Sequence, residues 1–191
     1  SLPSISDHIK MKRKSFSGKA IEETIINSEK AIILLATNAY GVFECKSNCE
    51  IEKIDYKFSS SINIKNQQIA SGKVSLSEAE IVVSAGRGLK GPENWGMIEE
   101  LAELLNAATA CSKPVSDIGW RPHGEHVGQT GIVIAPNLYI AVGISGAIQH
   151  LAGVNSSKTI VVVNTDPEAP FFKAADYGIV GDAFDIIPKL I

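Results

Sequence analysis

Short apolar runs alternate with helical patterns and polar loops from residue 81 to the end of this 191-residue chain. The runs are rich in β-branched residues and lie at positions 81–84, 114–116, 138–144, 159–164 and 177–180. Strands that are covered on both faces have continuous apolar runs of this kind, whereas half-exposed strands alternate. The pattern therefore predicts an α/β fold, a doubly wound parallel sheet with helices on both sides.

The clearest helical pattern runs from about residue 93 to residue 110. Pro92 suits the first turn because its φ is already helical, and Glu93 suits the positive end of the helix dipole. The apolar residues of this segment fall on one face: Met97, Ile98, Leu101, Leu104, Leu105 and Ala108. Such a stripe predicts a helix that packs its apolar face against the core.

Glycine and proline divide the chain near residue 80. Only three of the sixteen glycines precede this position, and seven of the eight prolines follow it. Tight turns and close backbone approaches require these residues, so residues 80–191 are expected to form the ligand-binding domain. Residues 1–79 form a separate part, in which the segments 31–36 and 51–58 predict short strands. The basic segment 10–14 is interpreted as a solvated, mobile stretch.

The overall composition excludes several classes of protein. With 45% hydrophobic and 20% charged residues, the chain has the composition of a soluble globular protein, and its net charge of −3 does not suggest a nucleic-acid partner. The apolar runs are far shorter than the roughly 20 residues that span a bilayer, so no membrane insertion is expected. Cys45, Cys49 and Cys111 lack zinc or redox spacing. A cytoplasmic protein is expected, or a mitochondrial matrix protein if the source is eukaryotic.

A glycine-rich loop follows the first of the predicted parallel strands. Residues 86–91 read Gly-Arg-Gly-Leu-Lys-Gly and open the long helical pattern, as in a dinucleotide-binding loop. A nicotinamide site needs an acidic residue about 20 positions later, but Ser112 and Lys113 stand there instead. A dinucleotide loop and a plain tight turn both stay open at this point.

A second strand-turn-helix pattern occurs at residues 143–147, Gly-Ile-Ser-Gly-Ala. It makes Ser145 a candidate nucleophile of the hydrolase type. The only later histidine is His150, on the same helical pattern, so the hydrolase order of serine, acid and histidine cannot be assembled. The preferred interpretation is an anion site in which Ser145 caps a helix and the amides of residues 146–148 stay free. His150 is either a packed histidine or a ligand contact.

A small cluster of metal-ligand types occurs at His123, Glu125 and His126. Three ligands from one short loop are a weak basis for a metal site, because no strand or helix holds them in register. The cluster is therefore interpreted as a solvated loop, and no metal is predicted.

Three segments closely resemble the alpha subunit of electron transfer flavoprotein. They are VGQTG at 127–131, LYIAVGISGAIQHLAG at 138–153 and NTDPEAP at 164–170. The resemblance runs from about residue 81 to the end and is loose over residues 1–79. It implies a Rossmann-like FAD-binding domain at 80–191, preceded at 1–79 by the incomplete C-terminal part of an N-terminal α/β domain.

The resemblance also implies a function. It implies an electron carrier without substrate turnover of its own, which passes electrons from flavoprotein dehydrogenases, such as acyl-CoA dehydrogenases, to a quinone oxidoreductase or similar acceptor. The flavin semiquinone and hydroquinone carry the electrons, and the chain forms a heterodimer with an AMP-binding beta subunit. The alternative is a non-catalytic FAD-domain fragment or interaction module.

Carried over residue by residue, the resemblance implies no catalytic side chain but a set of FAD contacts. These are Arg87, Ser112, Lys113, Gln129, Thr130, Ser145, Gly146, Ala147, Ile148, Gln149, His150, Asn164 and Asp182. It places His150 near the C2 carbonyl of the flavin and Thr130 near N5. Lys113 stands where the family usually has arginine, so FAD is expected to bind with a semiquinone stability that differs from the arginine type.

Overall fold

The protein contains two β-sheets, a small antiparallel sheet and a five-stranded parallel sheet. They are seen in a computed structural model that describes residues 4–5, 8–16, 20–35, 37–38, 44, 50–56, 59–65 and 74–191. The small sheet comes first in the chain, and the parallel sheet belongs to the continuous stretch 74–191. The predicted α/β class with a parallel sheet is confirmed.

The small sheet contains β1 (Ser4–Ile5), β2 (Ile9–Ser15) and β3 (Ala20–Ile26) in that order. All its strand pairs are antiparallel. The basic segment 10–14 lies within β2 and pairs with β3, so its interpretation as a mobile stretch is wrong. Arg13 donates two hydrogen bonds to Glu22 on the opposite strand, at 2.9 and 3.1 Å. Residues 31–35 and 51–56 form no strand, which contradicts the sequence prediction for these described parts.

The parallel sheet contains five strands in the spatial order β5-β4-β6-β7-β8. The strands are β4 (Ile81–Ala85), β5 (Ala108–Cys111), β6 (Leu138–Val142), β7 (Thr159–Asn164) and β8 (Tyr177–Val180). Every neighbouring pair is parallel. The chain leaves β4 toward one edge and β6 toward the other, which makes the boundary between these strands the topological switch point of the sheet.

Helical segments connect the parallel strands. The α-helices are α1 (Gly96–Leu104), α2 (Lys113–Asp117), α3 (Ile148–Leu151) and α4 (Ala183–Ile186). Short 3-10 turns lie at Arg87–Leu89, Pro92–Trp95, His123–Glu125, Pro170–Ala174 and Ile187–Lys189. No helix in these described stretches is long and apolar enough to cross a membrane.

The parallel sheet is buried on both faces along β4, β5 and β6 and over most of β7, whereas the edge strand β8 is exposed, so the expectation that the run at 177–180 is covered on both faces is wrong. Side chains on one face, including Val82 and Tyr139, pack with Phe171 and Val154. The opposite face packs against α1 and the C-terminal segment through residues such as Val83, Ile98, Leu101 and Ile187. Burial of each such large apolar side chain stabilises the folded state by about 1.5–3 kcal/mol. The two apolar clusters together therefore keep the ends of the strands in fixed positions.

The boundaries around β5 differ from the sequence prediction. The helix predicted over 93–110 ends at Leu104, because Asn106 takes a left-handed conformation with φ 50° and redirects the chain. Residues 108–111 then form β5 rather than the end of the helix. The strand predicted at 114–116 lies inside α2, where Pro114 occupies the first turn.

Candidate cofactor-binding site

Two loops meet at the carboxyl ends of β4 and β6, directly at the switch point. The Gly86 N–H donates to the Val142 carbonyl oxygen at 2.9 Å, and the Gly88 N–H donates to the Gly143 carbonyl oxygen at 3.1 Å. A Cβ atom on Gly88 would lie 2.6 Å from the Gly143 Cα, so a side chain there would force the loops apart. The glycine-rich loop is therefore needed first for the contact between the two strand ends.

A cavity of about 580 Å³ opens beside these loops. It is bounded by the ends of β4, β6 and β7, by the start of α2, and by the loop from residue 126 to residue 130. Ten of the thirteen predicted cofactor contacts line it: Arg87, Ser112, Lys113, Gln129, Thr130, Ser145, Ala147, Gln149, His150 and Asn164. The tertiary structure thus brings together residues from five separate segments, and we call this cavity the crevice.

Three predicted contacts do not line the crevice. Gly146 is buried against Phe171 with φ +83°, and Ile148 is 53% exposed and lines a different cavity. Asp182 accepts a hydrogen bond from the Phe184 N–H at 3.1 Å and thereby caps α4. The FAD contacts proposed for these three residues stay predictions.

Asp182 also pairs with the glycine-rich loop. Its carboxylate lies 3.3 Å from the Lys90 Nζ, and that ammonium lies 4.7 Å from the centre of the Phe184 ring. The hydrogen bond from the Phe184 backbone, followed by the Lys90 interaction, holds the pKa of Asp182 below its usual value. In this arrangement Asp182 has a structural role, because it links the start of α4 to the loop that follows β4.

Sequence reasoning missed several residues that line the crevice. They are Pro114, Asp117, His126, Val127, Gly128, Gly143, Ile144, Asp166 and Ala169. Val127, Gly128, Gly143 and Ile144 stand inside motifs that were already singled out, so their position next to predicted contacts was the available signal. His126 directly precedes one of these motifs, but its burial depends on a loop that packs only in three dimensions.

The cluster at 123–126 does not converge on one centre. His123 Nδ1 lies 2.9 Å from the Ser116 hydroxyl, whereas Glu125 accepts two hydrogen bonds of 2.7 Å from Arg121. His126 is 7% exposed and faces the crevice, so the interpretation as a solvated loop is wrong for this residue. Within the described ranges, no group of His, Cys, Asp or Glu side chains is arranged to hold a metal ion.

Arg121 fixes this loop to the rest of the domain. Besides the fork to Glu125, its guanidinium donates to Glu99 on α1 at 2.8 Å and lies 5.3 Å from the centre of the Trp95 ring. The hydrogen bond to Glu125 is the main reason why the pKa of Arg121 is raised. The planar guanidinium thus connects α1 to the loop that carries His126.

The segment before α3 presents free backbone donors. In the described part of the chain, the N–H groups of residues 145–149 donate no hydrogen bond to a protein acceptor. The predicted cap is wrong, because Ala147 and not Ser145 precedes the helix, and no side chain caps it. The left-handed turn at Gly146 displaces Ser145 from the cap position, and the Ser145 carbonyl instead accepts from the Phe171 N–H at 3.1 Å.

His150 lies at the buried end of the crevice. It is 6% exposed, and its Nε2 lies 2.8 Å from the Tyr139 hydroxyl oxygen. Its Nδ1 is buried and makes no hydrogen bond of acceptable geometry among the described residues, although the Val127 backbone lies close enough to act on the imidazole and raise its pKa. Burial first, and then the nearby His126, lower the pKa of His150 to about 4. The imidazole is therefore neutral at pH 7. Its Nε2 is hydrogen-bonded to Tyr139 rather than to Ser145, so His150 does not act as a general base for Ser145.

The charged side chains of the crevice stay near solvent. Arg87 and Lys113 are exposed and form no ion pair within the stretches that the structure describes. Asn164 has a positioning role, since its amide donates to the Ile144 carbonyl at 3.0 Å and its oxygen accepts from the Asp166 N–H at 3.0 Å. Free cations and backbone N–H groups are the donors that phosphate and carbonyl oxygens require.

These features fit a nucleotide cofactor. The crevice lies where ligands bind in open α/β sheets, its rim carries two free cations, its lining includes three exposed residues whose backbone N–H groups donate to no described protein acceptor, and its buried end holds the His150 imidazole. A buried nitrogen without a well-formed hydrogen bond is a group that a bound ligand can satisfy. The fold and the site together define a cofactor-binding domain of the doubly wound class.

Comparison with known proteins identifies the class more narrowly. Residues 75–155 match the family described as electron transfer flavoprotein FAD-binding domain. The chain is 42% identical over 182 residues to the electron transfer flavoprotein subunit alpha of Bacillus subtilis, which covers 93% of this chain and 56% of the relative. It is 54% identical over 121 residues to that of Syntrophomonas wolfei, which covers 63% of this chain and 38% of the relative.

A mitochondrial electron transfer flavoprotein subunit alpha from Dictyostelium discoideum is 55% identical over 120 residues, which is 63% of this chain and 34% of that protein. The chain thus spans between about a third and just over half the length of these relatives. The resemblance seen in the sequence is confirmed: residues 75–155 form an FAD-binding domain of the electron transfer flavoprotein type, and FAD is the cofactor of that domain.

Proposed function

We propose that the crevice holds FAD and that this chain is the FAD-binding part of an electron carrier. The observation that carries the proposal is the coincidence, in one crevice at the switch point, of Ser145, Ala147 and Gln149, whose N–H groups donate to no protein acceptor in the described structure, with the buried imidazole of His150. Ser145, Ala147, Gln149 and His150 line the same cavity as the free cations of Arg87 and Lys113. A cofactor with phosphates and ring carbonyls satisfies all of them.

Different side chains of the crevice bind different parts of the cofactor. Arg87 and Lys113 attract anionic groups at the exposed rim, where their charges cost little desolvation. Gln129 and Thr130 add an amide and a hydroxyl from the loop opposite. Buried Val127 and Ile144 line the interior and exclude water from it. Bound FAD supplies one-electron and two-electron chemistry, which the protein tunes.

The protein tunes that chemistry through hydrogen bonds and charge. Donors that point into a buried site stabilise negative charge more strongly than donors in water, because the local dielectric constant is low. His150 contributes a neutral donor from the interior, and Lys113 contributes a positive charge from the rim. No nucleophile or acid–base pair is required, in agreement with the engagement of His150 by Tyr139 rather than by Ser145.

The proposal extends to electron flow and partners. We infer that the chain receives electrons from flavoprotein dehydrogenases, such as acyl-CoA dehydrogenases, and passes them to a quinone oxidoreductase or similar acceptor. We also infer a heterodimer with an AMP-binding beta subunit. The support is the subunit name of the relatives, which are alpha subunits of electron transfer flavoprotein. Co-purification with a beta subunit, with a flavin content that rises on assembly, tests this inference.

FAD binding is tested by titrating the purified chain with FAD, FMN and NAD and following flavin fluorescence and thermal unfolding. FAD should raise the unfolding temperature more than NAD does. Arg87→Gln should weaken FAD binding several-fold, whereas Lys90→Gln, three residues away, should not, because Lys90 pairs with Asp182 outside the crevice. A colourless chain that stays colourless with excess FAD would contradict the proposal and favour an interaction module.

A further inference from the structure

Tyr139 contacts His150 from the interior of the domain. Tyr139 is fully buried on β6, and its phenol oxygen lies 2.8 Å from the His150 Nε2. The two rings are 6.1 Å apart between centres, and Phe171 packs against both, at 6.3 Å from Tyr139 and 5.7 Å from His150. Because three rings pack together in the core, the imidazole has little freedom to rotate.

The direction of this hydrogen bond follows from the charge states of its partners. Burial raises the pKa of Tyr139, so the phenol keeps its proton at pH 7. Burial lowers the pKa of His150 to about 4, so the imidazole is neutral and has one N–H and one lone pair. Each partner therefore brings one proton to the pair, and only one of them can lie between the two atoms.

The surroundings decide which proton lies there. The Ser84 hydroxyl is close enough to act against burial and lower the Tyr139 pKa, but it makes no hydrogen bond of acceptable geometry in the described structure. The phenol proton thus has the His150 Nε2 as its acceptor, and the imidazole proton must sit on Nδ1. That atom is buried, on a residue that lines the crevice, and makes no hydrogen bond of acceptable geometry in the described structure; the Val127 backbone, which raises the His150 pKa, also favours a proton on the imidazole.

We propose that Tyr139 is a positioning residue that holds His150 in its Nδ1–H tautomer, so that a neutral N–H donor faces an acceptor atom of FAD. The tautomer stands on the geometry of the chain alone, whereas the identity of the acceptor rests on the proposed function. In water, an isolated neutral histidine favours the other tautomer, so the tyrosine changes what the site offers. Loss of the phenol would turn Nδ1 from a donor into an acceptor.

The groups that face the pair keep it neutral. His126, from the loop that follows α2, disfavours a positive charge on His150. Lys113 disfavours a positive charge on His126 in turn, while Asp117 acts in the opposite sense. Cys111, on the edge strand, carries no charge at physiological pH, because burial raises its pKa to about 12. The Tyr139–His150 pair therefore keeps its protons across the physiological pH range.

The tautomer can be measured without cofactor, by long-range proton–nitrogen NMR correlation of the chain labelled with ¹⁵N-histidine. A His150→Gln variant assigns the signals of His150 among the four histidines. The wild-type chain should show a protonated Nδ1 and an unprotonated Nε2. A wild-type spectrum with the proton on Nε2 would overturn the proposal, whatever any variant does.

A matched pair of variants tests the role of the phenol. Tyr139→Phe removes only the hydroxyl and should move the His150 proton to Nε2 in most molecules. Tyr177→Phe removes an exposed hydroxyl on β8, outside the crevice, and should leave the spectrum unchanged. An unchanged Nδ1–H pattern in a folded Tyr139→Phe variant would refute the positioning role.

FAD titration of the same chains tests the acceptor. Tyr139→Phe should bind FAD about tenfold more weakly than wild type, which corresponds to about 1.4 kcal/mol, whereas Tyr177→Phe should bind it equally well. If Tyr139→Phe changes the His150 tautomer but not the FAD affinity, the Nδ1–H group does not donate a hydrogen bond to the cofactor. A wild-type chain that binds no FAD would overturn the proposed function while the NMR result still decides the tautomer.

Discussion

The ionisable residues of the crevice differ in charge according to their depth. Arg87 and Lys113 stay at the solvent-exposed rim, whereas His126 and His150 are buried and have lowered pKa values. A buried unpaired charge costs several kcal/mol, so the interior of the site uses neutral donors and leaves positive charge to the rim. The imidazole of His150 therefore acts through the orientation of its N–H group rather than through charge.

The low pKa of His150 predicts a dependence of stability on pH. Below pH 6.5 the unfolded chain binds a proton on this histidine, while the folded chain does not until pH is near 4. The His150 contribution to the free energy of unfolding should therefore fall as pH decreases through this window, by on the order of 3 kcal/mol in total, and this contribution should not fall further below it. Urea unfolding between pH 4 and pH 7 measures the change.

His150→Gln provides the comparison for this experiment. The variant keeps the other titrating groups, including His126, so the difference between the two pH profiles isolates His150. We expect the variant to be less stable at pH 7, because it loses the hydrogen bond with Tyr139, and flatter between pH 4 and 6.5. Parallel profiles in wild type and variant would contradict the lowered pKa.

Lys113 provides a second prediction for a single residue. Lys113→Gln removes a positive charge from the rim and should shift the midpoint potential of bound FAD to a more negative value, because a nearby cation favours the reduced, more negative cofactor. For an exposed lysine the effect is on the order of 10–20 mV. Lys113→Arg keeps the positive charge, so the midpoint potential should stay above that of Lys113→Gln. Its distance from that value should differ from the wild-type distance, because the guanidinium is planar and larger.

Lys158→Gln is the matched control, because Lys158 is an exposed lysine that lies outside the crevice. Spectroelectrochemical titration of the three variants and the wild type gives the potentials. Equal potentials in Lys113→Gln and Lys158→Gln would place Lys113 outside the electrostatic reach of the flavin.

The ends of two strands create the site at the level of secondary-structure elements. The loops after β4 and β6 touch through backbone atoms, and this contact requires glycine at positions 86, 88 and 143. Gly143 also has a φ of +60°, which side chains other than glycine rarely adopt. The crevice thus depends on the absence of side chains as much as on the residues that line it.

Gly88→Ala tests this contact. The added methyl group would press against the Gly143 backbone, so the variant should lose about 1–3 kcal/mol of stability and bind FAD more weakly. Gly96→Ala is the control, since an added Cβ meets no atom within 4 Å at the start of α1. It should be neutral or stabilise the protein by up to about 1 kcal/mol. Chemical denaturation of both variants distinguishes the outcomes; equal effects would contradict the close approach.

Apolar burial is unevenly distributed over the whole molecule. Among the described residues, every buried apolar side chain lies between Leu76 and Ile187. Apolar side chains nearer the N-terminus are exposed, such as Ile32 at 92%, Leu34 at 91% and Ile51 at 94%. The hydrophobic free energy that stabilises the fold therefore comes from the parallel-sheet part of the chain, which also contains the entire crevice.

This distribution predicts that residues 74–191 fold by themselves. A chain restricted to this range should unfold cooperatively within a few degrees of the full chain and bind FAD with an affinity within about threefold, a difference of less than 1 kcal/mol. Thermal unfolding and FAD titration of both chains check this expectation. Aggregation of the shorter chain, or loss of FAD binding, would show that residues before 74 stabilise the domain and would contradict the boundary near residue 80.

The sequence by itself determined the fold class and most of the site. Four of the five β-branched runs specified parallel strands, although the run at 114–116 lies in α2 and the strand at 177–180 is exposed, and the glycines and polar residues at the strand ends specified the crevice, because the carboxyl ends of parallel strands meet at one edge. This is why Arg87, Ser145 and Asn164, which are distant in sequence, could be assigned to the same cavity.

Only the tertiary structure decided the features that depend on packing between distant segments. Asn106 ended α1 through a left-handed turn that the apolar periodicity did not reveal. His126 became a buried wall of the crevice because Arg121 fixes its loop to α1. Tyr139 met His150 because a strand and a short helix pack around the Phe171 ring. Periodicity reports the neighbours of a residue along the chain, whereas these contacts depend on neighbours that only the packed core supplies.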